Sequence, residues 1–111
     1  MRAIDSDRKN ERQRQQREDL AACYRLVDLY AMSDGIGTHI SARIPDRKDM
    51  FLVNPYGWFF DEITASCLVE VDIEGTVLTE TEYTVNPAGF IIHSCIHRAR
   101  PDVACVLHTH T

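Results

Sequence analysis

The pattern of hydrophobic and polar positions divides the start of the chain into a charged segment and an amphipathic segment. Residues 2–19 carry almost only charged and amide side chains, which is typical of a frayed arm or of the solvated start of a helix. From Leu20 to Tyr30, apolar side chains recur every three or four residues. This period predicts a helix that ends at residues 33–35, where Gly35 favours the left-handed conformation.

Short apolar segments predict the strands that follow. Residues 39–44 alternate between polar and apolar side chains, and residues 50–53 form an apolar run that ends at Asn-Pro. A short helical turn is predicted for residues 61–68. Residues 69–72 and 76–78 flank a glycine-containing turn, which indicates a hairpin.

The clearest predicted element is a helix that begins after Asn86. Asn86 is a good N-cap, Pro87 suits the first helical position, and Pro101 prevents continuation. Its apolar positions form one continuous stripe of the kind that packs on a core: Ala88, Ile91, Ile92, Cys95, Ile96 and Ala99. Residues 103–107 then form an apolar strand that leads into His-Thr-His. Strands of mixed spacing between helices predict an α/β sandwich with a mixed sheet.

The length of 111 residues allows one domain, which we expect to comprise residues 20–111, after an arm or helix start at residues 1–19. The last strand is apolar, and a central strand needs neighbours on both edges. We therefore expect the domain to be incomplete at its C-terminal end, either as a piece of a longer protein or as a shortened reading frame.

Composition and charge mainly indicate which partners and locations are not expected. The chain has 44% hydrophobic and 26% charged residues, as soluble globular proteins do, and a net charge of −5 at pH 7. Because no basic field is present, we expect no nucleic-acid partner. No segment resembles a secretory signal or a membrane span, so a cytoplasmic location without membrane contact is expected. The four cysteines form no Cys-x-x-Cys pair and are predicted to be mostly small buried side chains.

Two histidine pairs are candidates for metal chemistry. His108 and His110 are separated by one residue, so on a strand both would point to the same side, with α-carbons roughly 6.5 Å apart. Two imidazoles in that arrangement can share a divalent metal ion; alternatively, they are simply solvated. His93 and His97 have the spacing of one helical face, opposite the apolar stripe, where a polar face or a contact within the fold is favoured over metal binding.

Two further segments carry weaker signals. Residues 37–41 combine glycine with hydroxyl groups at the entry to a strand, and such a loop can bind a phosphate or carboxylate through its backbone N–H groups. Residues 58–60 are three consecutive aromatic side chains. We predict that they belong to the core or to a subunit contact.

Taken together, these segments resemble the class II aldolase/adducin N-terminal domain family. The resemblance extends from about Leu20 to the end of the chain and rests on residues 37–43, 51–57, 61–66, 71–75, 86–90 with His93, 100–103 and 108–111. It implies an α/β/α three-layer sandwich and a homo-oligomer. Aldolase and epimerase members hold zinc or another divalent ion through three histidines and stabilise an enediolate from a small phosphorylated sugar or ketone, whereas adducin members bind actin and spectrin.

The resemblance also implies roles for individual residues. His108 and His110 match the His-x-His metal ligands, but the third ligand histidine of the family lies farther downstream and is absent here. Substrate contacts are expected from Thr38, His39, Tyr56 and Gly57.

Several positions depart from the aldolase pattern. Gly89 occupies the position of the acid/base glutamate, and Pro87 and Ala88 replace two phosphate-binding serines. Thr38 and His39 likewise replace a Gly-Asn pair. These departures bring the chain closer to the adducin-like branch.

Three functional hypotheses follow. The first is a metal-dependent lyase, most simply with zinc, that acts on a small carbonyl or sugar-phosphate substrate. Loss of the glutamate weighs against it, since general acid–base catalysis contributes about 10²–10⁴-fold in rate. The second is a noncatalytic adducin-like domain that associates with other chains, and the third is an inactive fragment. We expect weak metal binding and little aldolase activity from this chain alone.

Overall fold

The N-terminal charged segment is helical. The computed structural model describes residues 2–78 and 81–111, with side chains from residue 7 onward, and begins with helix α1 (Arg2–Leu29). Of the two alternatives for residues 2–19, the helix start is therefore the one adopted. Arg17 anchors this polar part to the rest of the fold, because its guanidinium donates to the carbonyls of Ala65 and Leu68, each at 3.1 Å, and pairs with Glu70 at 2.9 Å.

Helix α1 ends earlier than the sequence suggested. Ala31 adopts the left-handed conformation with φ 59°, and its N–H donates to the carbonyl of Asp28 at 2.9 Å. The N–H of Met32 donates to Val27 at the same distance, which completes a Schellman motif. Gly35 is also left-handed (φ 53°) but lies in the loop beyond the helix.

The strands form one antiparallel sheet in the order β3-β2-β1-β4, made of β1 (His39–Ile44), β2 (Arg47–Val53), β3 (Val69–Asp72) and β4 (Cys105–His108). The α/β class is confirmed, although every strand pair in the described residues is antiparallel rather than mixed. A tight turn at Pro45-Asp46 reverses the chain between β1 and β2, which enforces that direction. The predicted hairpin after β3 is reduced to a bridge between Val71 and Val77.

Side chains that alternate along the strands cover the two faces of the sheet, and each face packs against a different helix. Ile40, Ala42 and Leu52 are buried in one cluster with Tyr24 of α1. On the opposite face, a second cluster contains Phe51, Val53, Val69 and Val71 and contacts Phe90 of helix α2 (Pro87–Ala99). This alternation follows from the two-residue period of a strand and produces a three-layer arrangement with the sheet in the middle.

Helix α2 begins as predicted but faces the opposite way. The side chain of Asn86 accepts a hydrogen bond from the N–H of Ala88 at 3.1 Å, as an N-cap does. The apolar stripe, however, is largely exposed: Ile91, Ile92 and Ile96 are 59%, 49% and 37% exposed. The buried side is instead formed by Gly89, His93, Ser94 and His97.

The prediction that the stripe packs on the core of this chain is therefore wrong. The histidine side of α2 faces β1 because His93 and His97 hydrogen-bond to a serine of that strand.

The cysteines also depart from expectation. Cys67 is buried and Cys23 partly so, but Cys95 on α2 and Cys105 on β4 are exposed, and all four are free thiols. The prediction of burial is wrong for those two because both lie on surfaces that no other described element covers. The outer edge of β4 likewise has no strand partner among the described residues.

The aromatic segment at residues 58–60 divides between core and surface. Phe60 begins a short 3-10 helix (Phe60–Glu62) and is buried against Tyr24, with ring centroids 4.6 Å apart. Trp58 packs edge-on against Tyr83, whereas Phe59 is 51% exposed.

Candidate functional site

All five histidines of the chain lie in one connected group on the α2 side of the sheet. His39 and His108 are directly opposite each other in the β1–β4 register, and their ring centroids are 4.9 Å apart. His93 and His97 reach the group from α2, and His110 reaches it from the segment after β4. The two histidine pairs that the sequence suggested separately are thus joined through His39.

The buried half of the group centres on Ser41. Its hydroxyl lies 2.5 Å from Nδ1 of His93 and 2.8 Å from Nε2 of His97. Nε2 of His93 is in turn 3.2 Å from Nδ1 of His39. Arg43 closes the other end, because its guanidinium lies 3.1 Å from Nδ1 of His97 and donates to the carbonyl of the same residue at 2.9 Å.

Burial determines the charge of these imidazoles. Ser41 and His93 are fully buried, and His97 is 1% exposed. Burial, reinforced by His39, lowers the pKa of His93 to about 4, and burial together with the Arg43 charge lowers the pKa of His97 to about 4. The pKa of His39 is lowered as well, first by burial and then by His108. The buried histidines are therefore neutral at pH 7.

The exposed half consists of His108, His110 and Asp34. Strand β4 ends at His108. His110 therefore lies beyond the strand, whereas the sequence suggested one strand for both histidines. The backbone N–H of His110 instead donates to the carbonyl of Met32 at 2.8 Å. The two rings still converge, with their Nε2 atoms 3.1 Å apart. Nδ1 of His110 lies 2.8 Å from a carboxylate oxygen of Asp34.

A small pocket adjoins His39 where the β1 entry, the loop after β2 and the start of α2 meet. His39, Tyr56, Asn86 and Gly89 are among its lining residues. Gly57 also lines it, at φ 88°. Three of the four predicted substrate contacts are thus brought together at this pocket.

Thr38, the fourth predicted substrate contact, lies elsewhere. It is 1% exposed, does not line the pocket, and accepts a hydrogen bond from the N–H of Asp34 at 3.4 Å. It therefore supports the loop that carries Asp34.

Asp34 and Arg43 were not identified as site residues from the sequence, and Ser41 was included only as part of the candidate anion-binding segment at residues 37–41. A signal for two of them was present, because Ser41 and Arg43 alternate with Ile40, Ala42 and Ile44 along β1 and so share a face with His39. Nothing comparable marks Asp34, which meets His110 only through a loop far away in the chain.

Two negative observations concern the described residues only. There, no three histidine, cysteine or acidic side chains converge on one point as a complete metal site requires. Nor does any helix in that part have the length and apolar character needed to span a bilayer.

The family follows from a comparison with known domains. The model for the class II aldolase and adducin N-terminal domain matches residues 18–111. The chain belongs to this family. A protein of Caulobacter vibrioides, provisionally named as an aldolase class 2 protein, is 60% identical over 97 residues, which are 87% of this chain and 38% of that protein.

Relatives within the class II aldolase/adducin family include both an aldolase and an adducin. The L-fuculose 1-phosphate aldolase of Glaciozyma antarctica is 37% identical and superposes with a TM-score of 0.84, over 89% of this chain and 41% of that one. Alpha-adducin of Rattus norvegicus is 45% identical over 94 residues, which are 83% of this chain and 13% of alpha-adducin. The chain thus spans less than half of the length of each of these relatives.

Proposed function

We propose that His108 and His110 are two ligands of a divalent metal ion, most simply zinc. The observation that supports this most directly is the 3.1 Å separation of their Nε2 atoms. Two nitrogens bound to one tetrahedral zinc at about 2.0–2.1 Å each lie roughly 3.3 Å apart, so little movement would be needed. Both imidazoles are exposed, and a metal can reach them.

Asp34 fits the role of a supporting residue for this site. A ligand histidine commonly donates its other N–H to a carboxylate, which fixes the tautomer and orients the ring. The contact between Nδ1 of His110 and Asp34 has this form and places the lone pair of the ring on Nε2, the nitrogen that lies 3.1 Å from Nε2 of His108. The donor set of two imidazoles supported by a carboxylate suits zinc and other first-row divalent ions.

The substrate that we propose is a small carbonyl compound, with sugar phosphates included because an L-fuculose 1-phosphate aldolase is among the structural neighbours. A divalent ion bound there would polarise the carbonyl oxygen. His39, Tyr56 and Gly57 would contact the substrate in the adjacent pocket. A catalytic zinc normally has three protein ligands, and the described residues bring no group of three possible ligands together, so we expect little turnover from this chain by itself.

Calorimetric titration of the chain with zinc chloride tests the proposal. We expect measurable binding by the native chain and its loss in the His108→Ala/His110→Ala variant. Asp34→Asn is expected to weaken binding about 10–100-fold, as changes to supporting residues of metal sites do. Asp61→Asn is the matched control, because Asp61 is an exposed acidic residue outside the site. Equal zinc affinity in the native chain and the double variant would refute the site.

A second candidate function is a noncatalytic, adducin-like role in association with other chains. The observation that favours it is the outward-facing apolar stripe of α2, since contiguous exposed apolar surface marks interaction sites. We propose a homo-oligomer contact there, with actin binding as the adducin-like alternative. Sedimentation of the native chain and of an Ile92→Asp variant, each with and without actin filaments, separates these possibilities. Monomeric native chain that leaves actin unbound would contradict both.

A further inference from the structure

Arg43 favours one direction for the hydrogen-bond chain on the buried side of the sheet. A guanidinium carries only donors, so its contact with Nδ1 of His97 at 3.1 Å favours the tautomer in which that nitrogen accepts, although the same guanidinium nitrogen also donates to the carbonyls of His97 and Arg100. In that tautomer the single ring proton of a neutral His97 is on Nε2. From there it can donate only towards Ser41, whose hydroxyl oxygen is 2.8 Å away.

Ser41 passes the direction on to His93. A hydroxyl carries one proton; since Ser41 accepts from His97, that proton is free to be donated to Nδ1 of His93 at 2.5 Å. If Ser41 accepted from both rings, its proton would have no acceptor among the described residues. Such an orphaned donor at a fully buried side chain is costly.

The same logic extends to His39. Because Nδ1 of His93 accepts, His93 carries its proton on Nε2 and donates it to Nδ1 of His39 at 3.2 Å. His39 in turn must carry its proton on Nε2. That atom faces Gly89 at the pocket, and within the described part of the chain no protein acceptor contacts it.

We propose that four residues hold His39 in one tautomer, so that its Nε2–H donates a hydrogen bond to an acceptor oxygen of the pocket's ligand. These positioning residues are Arg43, His97, Ser41 and His93. The class of ligand, a small carbonyl compound, rests on the function proposed above; the direction of the chain does not. His39 would thus recognise a carbonyl oxygen of the ligand beside Gly89, the position at which the aldolase pattern has its acid/base glutamate. A ligand that offers only an ammonium or amide N–H group at this point would be disfavoured.

Tautomers can be read directly from two-bond ¹⁵N–¹H correlations of the ¹⁵N-labelled chain. At pH 7.5 and without metal, we expect His39, His93 and His97 to be protonated on Nε2 only. In Ser41→Ala, the link to Arg43 is cut. His93 and His39 are then expected to populate both tautomers, whereas His97 keeps its own. Ser66→Ala, which removes an exposed hydroxyl, is the matched control and should leave all three unchanged.

Protonation of His39, His93 or His97 on Nδ1, or on both nitrogens, in the native chain would overturn the proposed direction. This measurement on the native chain remains decisive even if Ser41→Ala does not fold. For the ligand, 1,3-dihydroxyacetone is the probe. Its addition should shift the Nε2 resonance of His39 more than that of His97, and no shift up to the solubility limit would overturn the ligand assignment. Failure of zinc binding would leave the tautomers as they are, so the two proposals fail separately.

Discussion

The imidazole of His39 fills the space that a side chain on Gly89 would need. A Cβ placed on Gly89 would lie 3.0 Å from Cδ2 and 3.2 Å from Nε2 of His39. The ring cannot easily move aside, because Nδ1 is hydrogen-bonded to His93 and the ring lies beside His108. The two departures from the aldolase pattern at positions 39 and 89 are thus sterically coupled.

Introducing the family's glutamate at this position should therefore destabilise the chain. Gly89→Glu is expected to lower the free energy of unfolding by about 1–3 kcal/mol, as overpacking does. His39→Ala removes the ring and makes room. Adding Gly89→Glu to the His39→Ala variant should therefore cost less stability than adding it to the native chain. Urea unfolding of the four proteins gives the coupling energy, which we expect to exceed about 1 kcal/mol. Additive effects would show that the ring does not restrict position 89.

Removal of the Ser41 hydroxyl should be costly although only one atom is lost. Ser41→Ala leaves a donor on His97 and an acceptor on His93 without partners, and one such buried group costs about 1–3 kcal/mol. Ser66→Ala should change stability by less than about 0.5 kcal/mol, as most surface substitutions do. Chemical denaturation of both variants measures the contrast. Equal stabilities would mean that Ser41 is not satisfied by the two histidines.

Stability should fall as the solution is acidified below the ordinary histidine pKa of 6.5. His93 and His97 have a pKa of about 4 in the folded chain, so between about pH 6.5 and pH 4 the unfolded chain binds more protons than the folded chain. Their stabilising contribution is complete above pH 6.5 and is lost progressively within this window, by up to about 1.4 kcal/mol per pH unit for each histidine.

Urea unfolding at several pH values between 7.5 and about 4.5 measures this slope. His97→Gln keeps hydrogen-bonding groups but cannot be protonated, so its slope should be smaller by about one proton. An unchanged slope in that variant would show that the pKa of His97 is not lowered in the folded chain.

The outward orientation of α2 gives a matched pair of isoleucine substitutions. Ile63 is fully buried, and Ile63→Ala should cost about 2–5 kcal/mol. Ile92 is 49% exposed on α2, and Ile92→Ala should cost no more than about 0.5 kcal/mol plus any contribution from self-association. Thermal unfolding at several protein concentrations separates the two contributions. A large, concentration-independent loss for Ile92→Ala would place the apolar stripe in the core after all.

Local patterns predicted elements better than they predicted faces. The Asn86 cap, the start of α2 at Pro87 and the apolar alternation along β1 depend on residues close together in sequence, and the structure agrees with each. Which side of α2 packs against the sheet could not be predicted in the same way. A helix with an apolar and a polar side buries the side that finds partners on the neighbouring strands. In the described structure, those partners are Ser41 and Arg43 on β1.

The sequence by itself determined the family, the α/β class and the two histidine pairs, because these depend on residue identity and spacing along the chain. Only the tertiary structure decided that β1 joins the pairs through His39, since the β1–β4 register brings positions 39 and 108 together. It also decided that Asp34 meets His110 across 76 residues of sequence. Contacts of this kind depend on how strands and helices pack against one another, which local hydrophobic patterns do not encode.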